Sequence, residues 1–298
     1  MSDPLEQARW LTETVGVRPL TLGCIHVSGD DARTWLNGQI TNDVSRTSSG
    51  DAAYAVAVDL KGRILTDLFA LDRGDAFDLL VPRDRLEAMV EHFDRYVVME
   101  DVELEGREIT VISAQGPAAA TLELDGFSCD RLGRGGFDVI DGDLDAIVAR
   151  AGRAGGGLVG EEAWELARLR AARPGYGADF DETTYPQEAG LTATAVSFTK
   201  GCYLGQEVIC MLENRGQVRR RLVQLEGDAL PPPGSKLTKD GVALGDVRSG
   251  AIDPLDGRAV LHAYVKRAGW EPGTTLDSDV GFVTVRHVVG SEPRPAAP

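Results

Sequence analysis

Residues 52–82, AAYAVAVDLKGRILTDLFALDRGDAFDLLVP, decide the fold class of this 298-residue chain. They contain three apolar runs of strand length, separated by turn signals at Lys61-Gly62 and around Gly74. Short runs of apolar and β-branched residues bounded by such turns predict strands. Because turns this short join antiparallel neighbours, the stretch predicts three strands of an antiparallel sheet.

The sequence on either side of this stretch mixes strand-like and helix-like segments. Strands are predicted at CIHVSG (24–29) and VELEGREITVISAQG (102–116). Helices are predicted at DDARTWLNGQ (30–39, stopping near Gly38), RDRLEAMVEHFDRYVV (83–98), GDLDAIVARAG (142–152) and GEEAWELARLRAARPG (160–175). In residues 83–98 the apolar side chains, which include Val97, recur at helical spacing. The pattern predicts an α+β body with antiparallel sheets over residues 1–218.

The sequence pattern changes from Arg219 onward. Short strand-like runs are split by Gly, Pro and Asp, and no helix of useful length interrupts them. This pattern is typical of a small all-β barrel or sandwich, which we place at residues 219–290. The last residues, 291–298, are rich in proline and alanine, and we expect a disordered tail.

Charge and cysteine usage narrow the class of protein. The formal net charge of −16 repels nucleic acid and anionic membranes, so we expect neither as a direct partner. No signal-peptide pattern and no apolar run of about 20 residues occurs, which favours a cytoplasmic protein. The four cysteines are Cys24, Cys129, Cys202 and Cys210. They form no C-x-x-C pair and have no nearby His cluster, so no metal site is predicted.

One cysteine lies in a distinctive loop, TKGCYLGQEV (199–208). Residues 205–216 are predicted to form a helix, so Cys202 precedes a helix amino end and follows Lys200 closely. Both features are expected to lower the thiol pKa and raise its nucleophilicity. Gly201 and Gly205 would allow positive φ or close approach to a ligand. The alternative is that Cys202 is a small buried apolar residue in a turn, a reading we favour for the other three cysteines.

The loop resembles a family signature, K-G-C-Y-x-G-Q-E. On these residues the chain is similar to the YgfZ family of folate-binding proteins. These proteins are relatives of the aminomethyltransferase of the glycine cleavage system and bacterial counterparts of mitochondrial iron–sulfur assembly factors. Residues 27–44, 59–68, 173–207 and 215–222 also resemble family segments in the expected order. The resemblance implies two interleaved α+β lobes and a C-terminal barrel, a three-domain ring around a central folate cavity.

The resemblance also implies site residues. Cys202 and Lys200 would be catalytic, and with Asp67 we expect them to converge on the cavity. Folate contacts would come from Asp67, Glu188, Tyr203, Gln206, Glu207, Arg215 and Arg219. A carboxylate can grip the amino edge of a pterin, while the glutamyl tail needs cations.

Each of these assignments has a structural alternative. Asp67 would otherwise be a solvated charge at a strand edge, and Glu188 would cap the turn before Leu191. The arginine run that starts at Arg219 would be a solvated face.

Two departures from the transferase pattern bear on activity. Thr66-Asp67 stands where the transferases have two aspartates, and Trp164 falls near the place of their pocket arginine. We expect Trp164 to be a core residue. Both departures argue against the full glycine-cleavage reaction.

The expected function is therefore that of a tetrahydrofolate-binding accessory protein for iron–sulfur cluster assembly or repair, linked to tRNA modification. The ligand would be tetrahydrofolate or a one-carbon-substituted reduced folate, and the partners iron–sulfur client or assembly proteins. A tetrahydrofolate-dependent aminomethyltransferase or other one-carbon transferase is the alternative, and a non-catalytic interaction module is the third possibility. Whether the chain is an enzyme stays open.

Overall fold

The computed structural model of the chain describes residues 3–216 and 218–291, in which seven α-helices and fourteen strands form. The helices are α1 (Pro4–Glu13), α2 (Ala32–Gln39), α3 (Leu86–Asp94), α4 (Leu144–Arg153), α5 (Glu161–Arg170), α6 (Thr192–Ala195) and α7 (Gln206–Arg215). The strands of the first part are β1 (Gly16–Ser28), β2 (Ala52–Val58), β3 (Ile64–Asp72), β4 (Phe77–Pro82), β5 (Glu103–Gln115), β6 (Phe127–Ser128), β7 (Gly136–Ile140) and β8 (Gly157–Leu158). Those of the second part are β9 (Arg220–Gly227), β10 (Lys236–Lys239), β11 (Val242–Ile252), β12 (Ala259–Lys266), β13 (Thr275–Ser278) and β14 (Gly281–Val288).

The first part is built on a single eight-stranded sheet. Its order is β2-β3-β4-β1-β5-β7-β6, all antiparallel, and β8 joins β1 in parallel. The three strands predicted from residues 52–82 are β2, β3 and β4, and they pair antiparallel in sequence order. The turns that join them lie at the positions predicted from the glycines, and Gly62 and Gly74 both have positive φ.

Strand β1 belongs to both halves of this sheet. Its segment from Leu22 to Val27 pairs with β4, while its whole length from Gly16 to Ser28 pairs with β5. The predicted α+β class with interleaved halves and antiparallel strands is therefore confirmed. The two halves share one sheet through β1.

One face of the sheet is buried under α2 and α3. Leu36 of α2 and Phe93 of α3 are fully buried there against β1, β2 and β3. Burial of side chains this large contributes about 2–3 kcal/mol each. The helix predicted over residues 83–98 is shorter than expected, because α3 ends at Asp94. Val97 still packs on the same core, and the indole Nε1 of Trp35 donates to the carbonyl of Tyr96 (3.0 Å).

The second part is a closed barrel of six strands, in the order β10-β11-β12-β9-β14-β13. Alternate residues such as Val223, Leu225 and Leu261 fill its interior. This confirms the predicted C-terminal β-barrel. The tail predicted for residues 291–298 lies, apart from Ser291, outside the described residues.

A buried ionic cluster joins the body to the barrel. The Asp179 carboxylate accepts hydrogen bonds from Arg168 of α5, from His262 Nδ1 (3.1 Å) and from Ser249 Oγ (2.5 Å). Burial alone would raise the pKa of Asp179, but the His262 ring and the Arg168 guanidinium hold it well below its usual range. Ser249 and His262 belong to the barrel, so the cluster fixes the barrel against α5.

Candidate functional site

A cavity of about 170 Å³ lies over the face of the sheet opposite α2 and α3. Its aromatic lining residues are Tyr54, Phe69 and Trp164, and its arginines are Arg131, Arg168 and Arg173. Because successive residues of a strand point to opposite faces, Asp67 and Phe69 of β3 reach the cavity, whereas Leu68 packs toward α2 and α3. The sheet thus places one carboxylate among aromatic walls.

Asp67 is held by its neighbour on β2. The hydroxyl of Tyr54 donates to Asp67 Oδ2 at 2.9 Å. The strand register explains the contact, since Val56 is opposite Asp67 and Tyr54 is opposite Phe69. Burial raises the pKa of the Asp67 carboxyl, and the Tyr54 hydroxyl and the nearby Arg131 oppose this rise. The group can accept hydrogen bonds from a ligand that carries adjacent N–H donors.

Arg131 is positioned beside this carboxyl by buried polar residues. Gln115 Nε2 donates to the carbonyl of Cys129 (2.8 Å), and Gln115 Oε1 accepts from the backbone N–H of Arg131 (2.9 Å). The Arg131 Nε donates to Asp138 Oδ2 at 2.8 Å. Its guanidinium lies 4.6 Å from the centroid of the Phe69 ring. Contacts within the protein therefore fix the position of this cation in the cavity.

The other two arginines of the cavity differ in how strongly they are engaged. Arg168 is bound by Asp179 and Glu165 at the junction with the barrel. Arg173 has a longer ion pair, with Nη2 3.7 Å from Asp130 Oδ2, and its side chain is about one-third exposed. Arg173 is thus the cavity arginine best able to turn toward an anionic group of a ligand.

The cysteine loop leads into α7, as predicted. Cys202 is exposed, whereas Cys24 and Cys129 are buried and Cys210 is half-buried. Burial raises the pKa of Cys24 to about 12, and that of Cys129 is raised for the same reason. The alternative that Cys202 is a buried apolar residue is therefore wrong, while the structural reading fits Cys24 and Cys129.

Lys200 anchors this loop from within. Its Nζ donates to the carbonyls of Ile40 (2.8 Å) and Asn42 (2.6 Å) and lies 5.2 Å from the centroid of the Tyr203 ring. Burial lowers the pKa of Lys200 to about 8, and the charge of Asp43 opposes this. The ammonium is thus committed to the segment that joins α2 to β2. A catalytic role for it stays a prediction.

The two glycines of the loop are not equivalent. Gly205 caps α7 with φ of 75°, and a Cβ there would lie 2.5 Å from the carbonyl oxygen of Asp59. Gly201 is not among the glycines with positive φ, and a Cβ there would meet no atom within 4 Å. The expected need for glycine therefore holds at Gly205, whereas at Gly201 the positive-φ interpretation is wrong.

The loop and the cavity are joined through Asn42. Asn42 Nδ2 donates to the carbonyl of Thr194, which lines the cavity, and the Asn42 carbonyl accepts from Lys200. Neither Lys200 nor Cys202 is among the described residues that line the cavity. The expected convergence of Asp67, Lys200 and Cys202 on one cavity is therefore not observed. Lys200 turns inward to two carbonyls, and Cys202 faces outward.

The remaining predicted folate residues lie around α7 and the start of the barrel. Glu188 is buried, with Oε2 accepting from the backbone N–H of Tyr185 (3.4 Å) and Oε1 3.5 Å from Arg220 Nε, which fits its alternative role in the turn. The others are Tyr203, buried in an apolar cluster; Gln206, whose Nε2 lies 3.5 Å from the Gly201 carbonyl; and Glu207, Arg215 and Arg219, all exposed. None of these lines the cavity among the described residues. Their contact with folate stays a prediction.

The arginine run divides between two surroundings. Arg220 lies over the ring of Tyr264 (4.3 Å to the centroid), whereas Arg221 lies over that of Trp270 (5.2 Å). Because neighbouring residues of a strand face opposite sides, the run does not form one continuous cationic surface.

The part of the chain that the structure describes has neither a membrane-spanning helix nor a grouped set of metal ligands. None of its helices combines the length and apolar character of a membrane-spanning segment. Within the same residues, no three His, Cys, Asp or Glu side chains are grouped as metal ligands.

Comparison with known proteins agrees with the architecture. The family described as the GCVT N-terminal domain matches residues 6–128. An aminomethyltransferase of Rubrobacter xylanophilus is 30% identical over 275 residues, which cover 82% of this chain and 74% of the relative. The chain belongs to the YgfZ/GcvT-like family. Together with relatives named YgfZ, which are 24–26% identical, these matches confirm the predicted family.

Two further comparisons describe the place of this YgfZ/GcvT-like protein among its relatives. The tRNA-modifying protein YgfZ of Vibrio atlanticus is 26% identical over 216 residues, covering 68% of this chain and 67% of that protein. The crystal structure of the glycine cleavage system aminomethyltransferase T of Bartonella henselae superposes with a TM-score of 0.82 at 22% identity. That alignment covers 98% of this chain and 90% of the other, and it shows a shared fold.

Most of the cavity lining was not predicted as part of a site, including Tyr54, Arg131 and Arg173. The turn at Lys61-Gly62 held a signal for Tyr54, since a hairpin around it places Tyr54 near Asp67 on one face. No local pattern indicates Arg131 or Arg173. Trp164 was predicted to be a core residue, and it packs against Leu132 and also forms part of the cavity wall.

Proposed function

We propose that this protein binds a reduced folate, tetrahydrofolate or a one-carbon-substituted form, in the cavity over Asp67. The observation that carries the proposal is the Asp67 carboxyl, held by Tyr54 within aromatic walls. A pterin presents an amino group beside a ring N–H, and a carboxylate can accept from both. Its ring system would lie beside Phe69 and Trp164, and Arg173 would pair with a tail carboxylate.

We infer an accessory role and not glycine-cleavage chemistry. Thr66 occupies the position of the first transferase aspartate, and its side chain is fully buried on the sheet face away from the cavity. β3 therefore presents one carboxyl group to the cavity, Asp67. One-carbon transfer remains the alternative, since relatives named aminomethyltransferase match most of the chain.

The accessory role assigns Cys202 as the group that meets partner proteins in iron–sulfur cluster assembly or repair. Its exposed thiol stands on a loop anchored by Lys200 and joined to the cavity wall through Asn42. One thiolate supplies a single ligand, so a cluster handled here would take its other ligands from the client. The proposed folate and the Cys202 thiol would thus lie on opposite sides of Asn42.

Titration with tetrahydrofolate tests the ligand. Asp67→Asn should weaken binding by about 10- to 100-fold, because the amide replaces one acceptor oxygen by a donor that opposes the pterin N–H groups. Asp75→Asn, which removes an exposed carboxylate of the turn after β3, should leave binding unchanged. Failure of the unaltered protein to bind tetrahydrofolate would contradict the proposal. Equal affinity in Asp67→Asn would remove Asp67 from the site.

Cellular activity of iron–sulfur enzymes tests the thiol. Cys202→Ala should lower these activities in cells that depend on this protein, while its titration with tetrahydrofolate stays unchanged. Cys210→Ala, which alters a half-buried cysteine of α7, serves as the matched control. Full activity with Cys202→Ala would exclude the thiol from the mechanism. Turnover of an aminomethyl-lipoyl donor would instead support the transferase alternative.

A further inference from the structure

The segment between α3 and β5 displays two large apolar side chains. Val98 is 79% exposed and Met99 is 93% exposed, the highest values for large apolar residues in the part of the chain that the structure describes. Two such side chains next to each other on a surface indicate an interaction site more often than single exposed ones do. Methionine in particular adapts its shape to varied partners.

Hydrogen bonds hold these side chains in their exposed position. The Glu100 carboxylate accepts from the backbone N–H groups of both Val98 and Met99, each at 3.0 Å. Asp31 and Asp101 then bond each other, through Asp101 N to Asp31 Oδ2 (2.9 Å) and Asp31 N to Asp101 O (3.2 Å). The segment is therefore fixed to the start of α2, and the exposure of Met99 is part of the fold.

A depression of about 460 Å³ lies beside Met99. Its floor includes Trp35 and Gly38 of α2, and its described lining has two carboxylates, Asp31 and Glu100, and no cation. The carbonyl of Gly38 accepts from the backbone N–H of Leu204 at 3.0 Å. Since Leu204 is two residues from Cys202, the depression adjoins the cysteine loop. We call Val98, Met99 and this depression the Met99 surface.

We propose that the Met99 surface docks an apolar, cationic segment of the client protein and so brings a client cysteine to Cys202. The apolar side chains would supply contact area, and the carboxylates would attract and orient the positive charges. The inference rests on the proposed function in one respect, the assignment of Cys202 as the reactive thiol. It adds where the partner binds and what chemistry the partner must have.

Charge favours this occupant over a second copy of the chain. Each copy carries a formal net charge of −16, and the described lining of the Met99 surface is itself acidic. Two such surfaces therefore repel each other, and an anionic membrane repels the Met99 surface for the same reason. A segment that alternates apolar and basic residues matches both the exposed side chains and the sign of the surface.

The test uses a ten-residue peptide of alternating Leu and Lys with one cysteine, activated as a mixed disulfide with thionitrobenzoate. The Cys202 thiolate attacks the peptide sulfur, a new disulfide forms, and thionitrobenzoate leaves with the electron pair. We expect a saturable reaction at least about tenfold more efficient than with a peptide carrying Glu in place of Lys. All proteins carry Cys210→Ser, so that the exposed Cys202 is the thiol measured.

The variant Val98→Ser/Met99→Ser should abolish most of this tenfold preference. Leu255→Ser, which changes a 52% exposed apolar residue of the barrel, should keep it. All three proteins should react equally with the small disulfide dithiobis-nitrobenzoate, which needs no docking. An unchanged peptide preference in the double variant would overturn the proposal. So would a dimer that the double variant dissociates, since it would identify a second copy as the occupant.

Failure of the proposed function gives a different result. If Cys202 is not the reactive thiol of the proposed function, Cys202→Ala leaves the cellular activity of iron–sulfur enzymes unchanged. Docking is then read from the fluorescence anisotropy of a labelled Leu/Lys peptide without cysteine. Binding that is lost in Val98→Ser/Met99→Ser supports the Met99 surface, and equal binding by both proteins refutes it.

Discussion

Lys200 is a buried cation whose charge is used inside the protein. Its three-donor ammonium satisfies two backbone carbonyls, of Ile40 and Asn42, and so ties the cysteine loop to the segment before β2. Burial disfavours the charged form, and the pKa of Lys200 falls from 10.5 to about 8. Because of this lowered pKa, the stability of the folded protein depends on pH through Lys200.

We predict that this dependence is measurable in Lys200→Met. Between pH 8 and 10.5 the folded protein has released the Lys200 proton while the unfolded chain still binds it, so stability rises with pH. The free energy of unfolding of the unaltered protein should therefore increase relative to Lys200→Met, by up to ~3 kcal/mol. Urea unfolding at pH 7.5, 9 and 10 measures the difference. Lys61→Met, at an exposed turn, should show no such change, and parallel curves for Lys200→Met would refute the prediction.

At the scale of the element, the start of α7 depends on one glycine. Gly205 has the left-handed φ of 75°, and its Cα faces the carbonyl of Asp59 so closely that a Cβ would lie 2.5 Å from that oxygen. The cysteine loop, α7 and the β2–β3 turn therefore meet at a point without room for a side chain.

Gly205→Ala should lower the free energy of unfolding by about 2–4 kcal/mol, through backbone strain and displacement of the Asp59 turn. Gly201→Ala is the matched control, four residues away and with open space around it. Its effect should stay within about 0.5 kcal/mol. Denaturant unfolding of the unaltered protein and the two variants measures these changes. Equal decreases in the free energy of unfolding for both substitutions would contradict the prediction that the close contact with Asp59 requires glycine at position 205.

The elements themselves were largely predictable because glycine and apolar spacing mark them locally. The runs around Gly62 and Gly74 predict β2, β3 and β4, and Gly216 predicts the end of α7. The end of α3 was not predictable, since Val97 continues the apolar spacing beyond it. A tertiary hydrogen bond from Trp35 to the carbonyl of Tyr96 fixes the chain just after α3, and no local sequence pattern predicts this bond.

At the scale of the whole molecule, Asp179 joins the body to the barrel. Its carboxylate is fully buried between Arg168 and His262. Removing one member of a buried ionic cluster leaves the others unpaired, which commonly costs 3–5 kcal/mol. We expect Asp179→Asn to lower the stability at pH 7 by about this amount.

The acid dependence of the same variant gives a second measurement. The pKa of Asp179 lies well below that of an unfolded chain, so its stabilisation is present above about pH 4 and declines as the pH falls further. The stability difference between the unaltered protein and Asp179→Asn should therefore shrink between pH 4 and pH 2.5. Asp228→Asn, at a fully exposed barrel residue, should have little effect at any pH. A difference that does not change with acidification would contradict this assignment.

The site was less predictable than the fold because its residues come together only in the tertiary structure. Asp67 was found through a resemblance of its local segment. Arg131 and Arg173 come from loops more than 60 residues along the chain, and buried groups such as Gln115 and Asp138 fix Arg131 in place. The direction of Cys202 and Lys200 likewise depends on carbonyls some 160 residues earlier.

The strand β1, paired along its full length with β5 and over six of its thirteen residues with β4, joins the two halves of the body in one continuous sheet. The walls contributed by the sheet must move as one piece. The proposed folate would therefore have strand residues on one side and, on the other, residues of the stretch 171–205, where turns and the single-turn α6 replace extended secondary structure. That same stretch ends in the cysteine loop, so the cavity lining at Arg173 and Thr194 and the exposed thiol of Cys202 belong to one continuous segment of the chain.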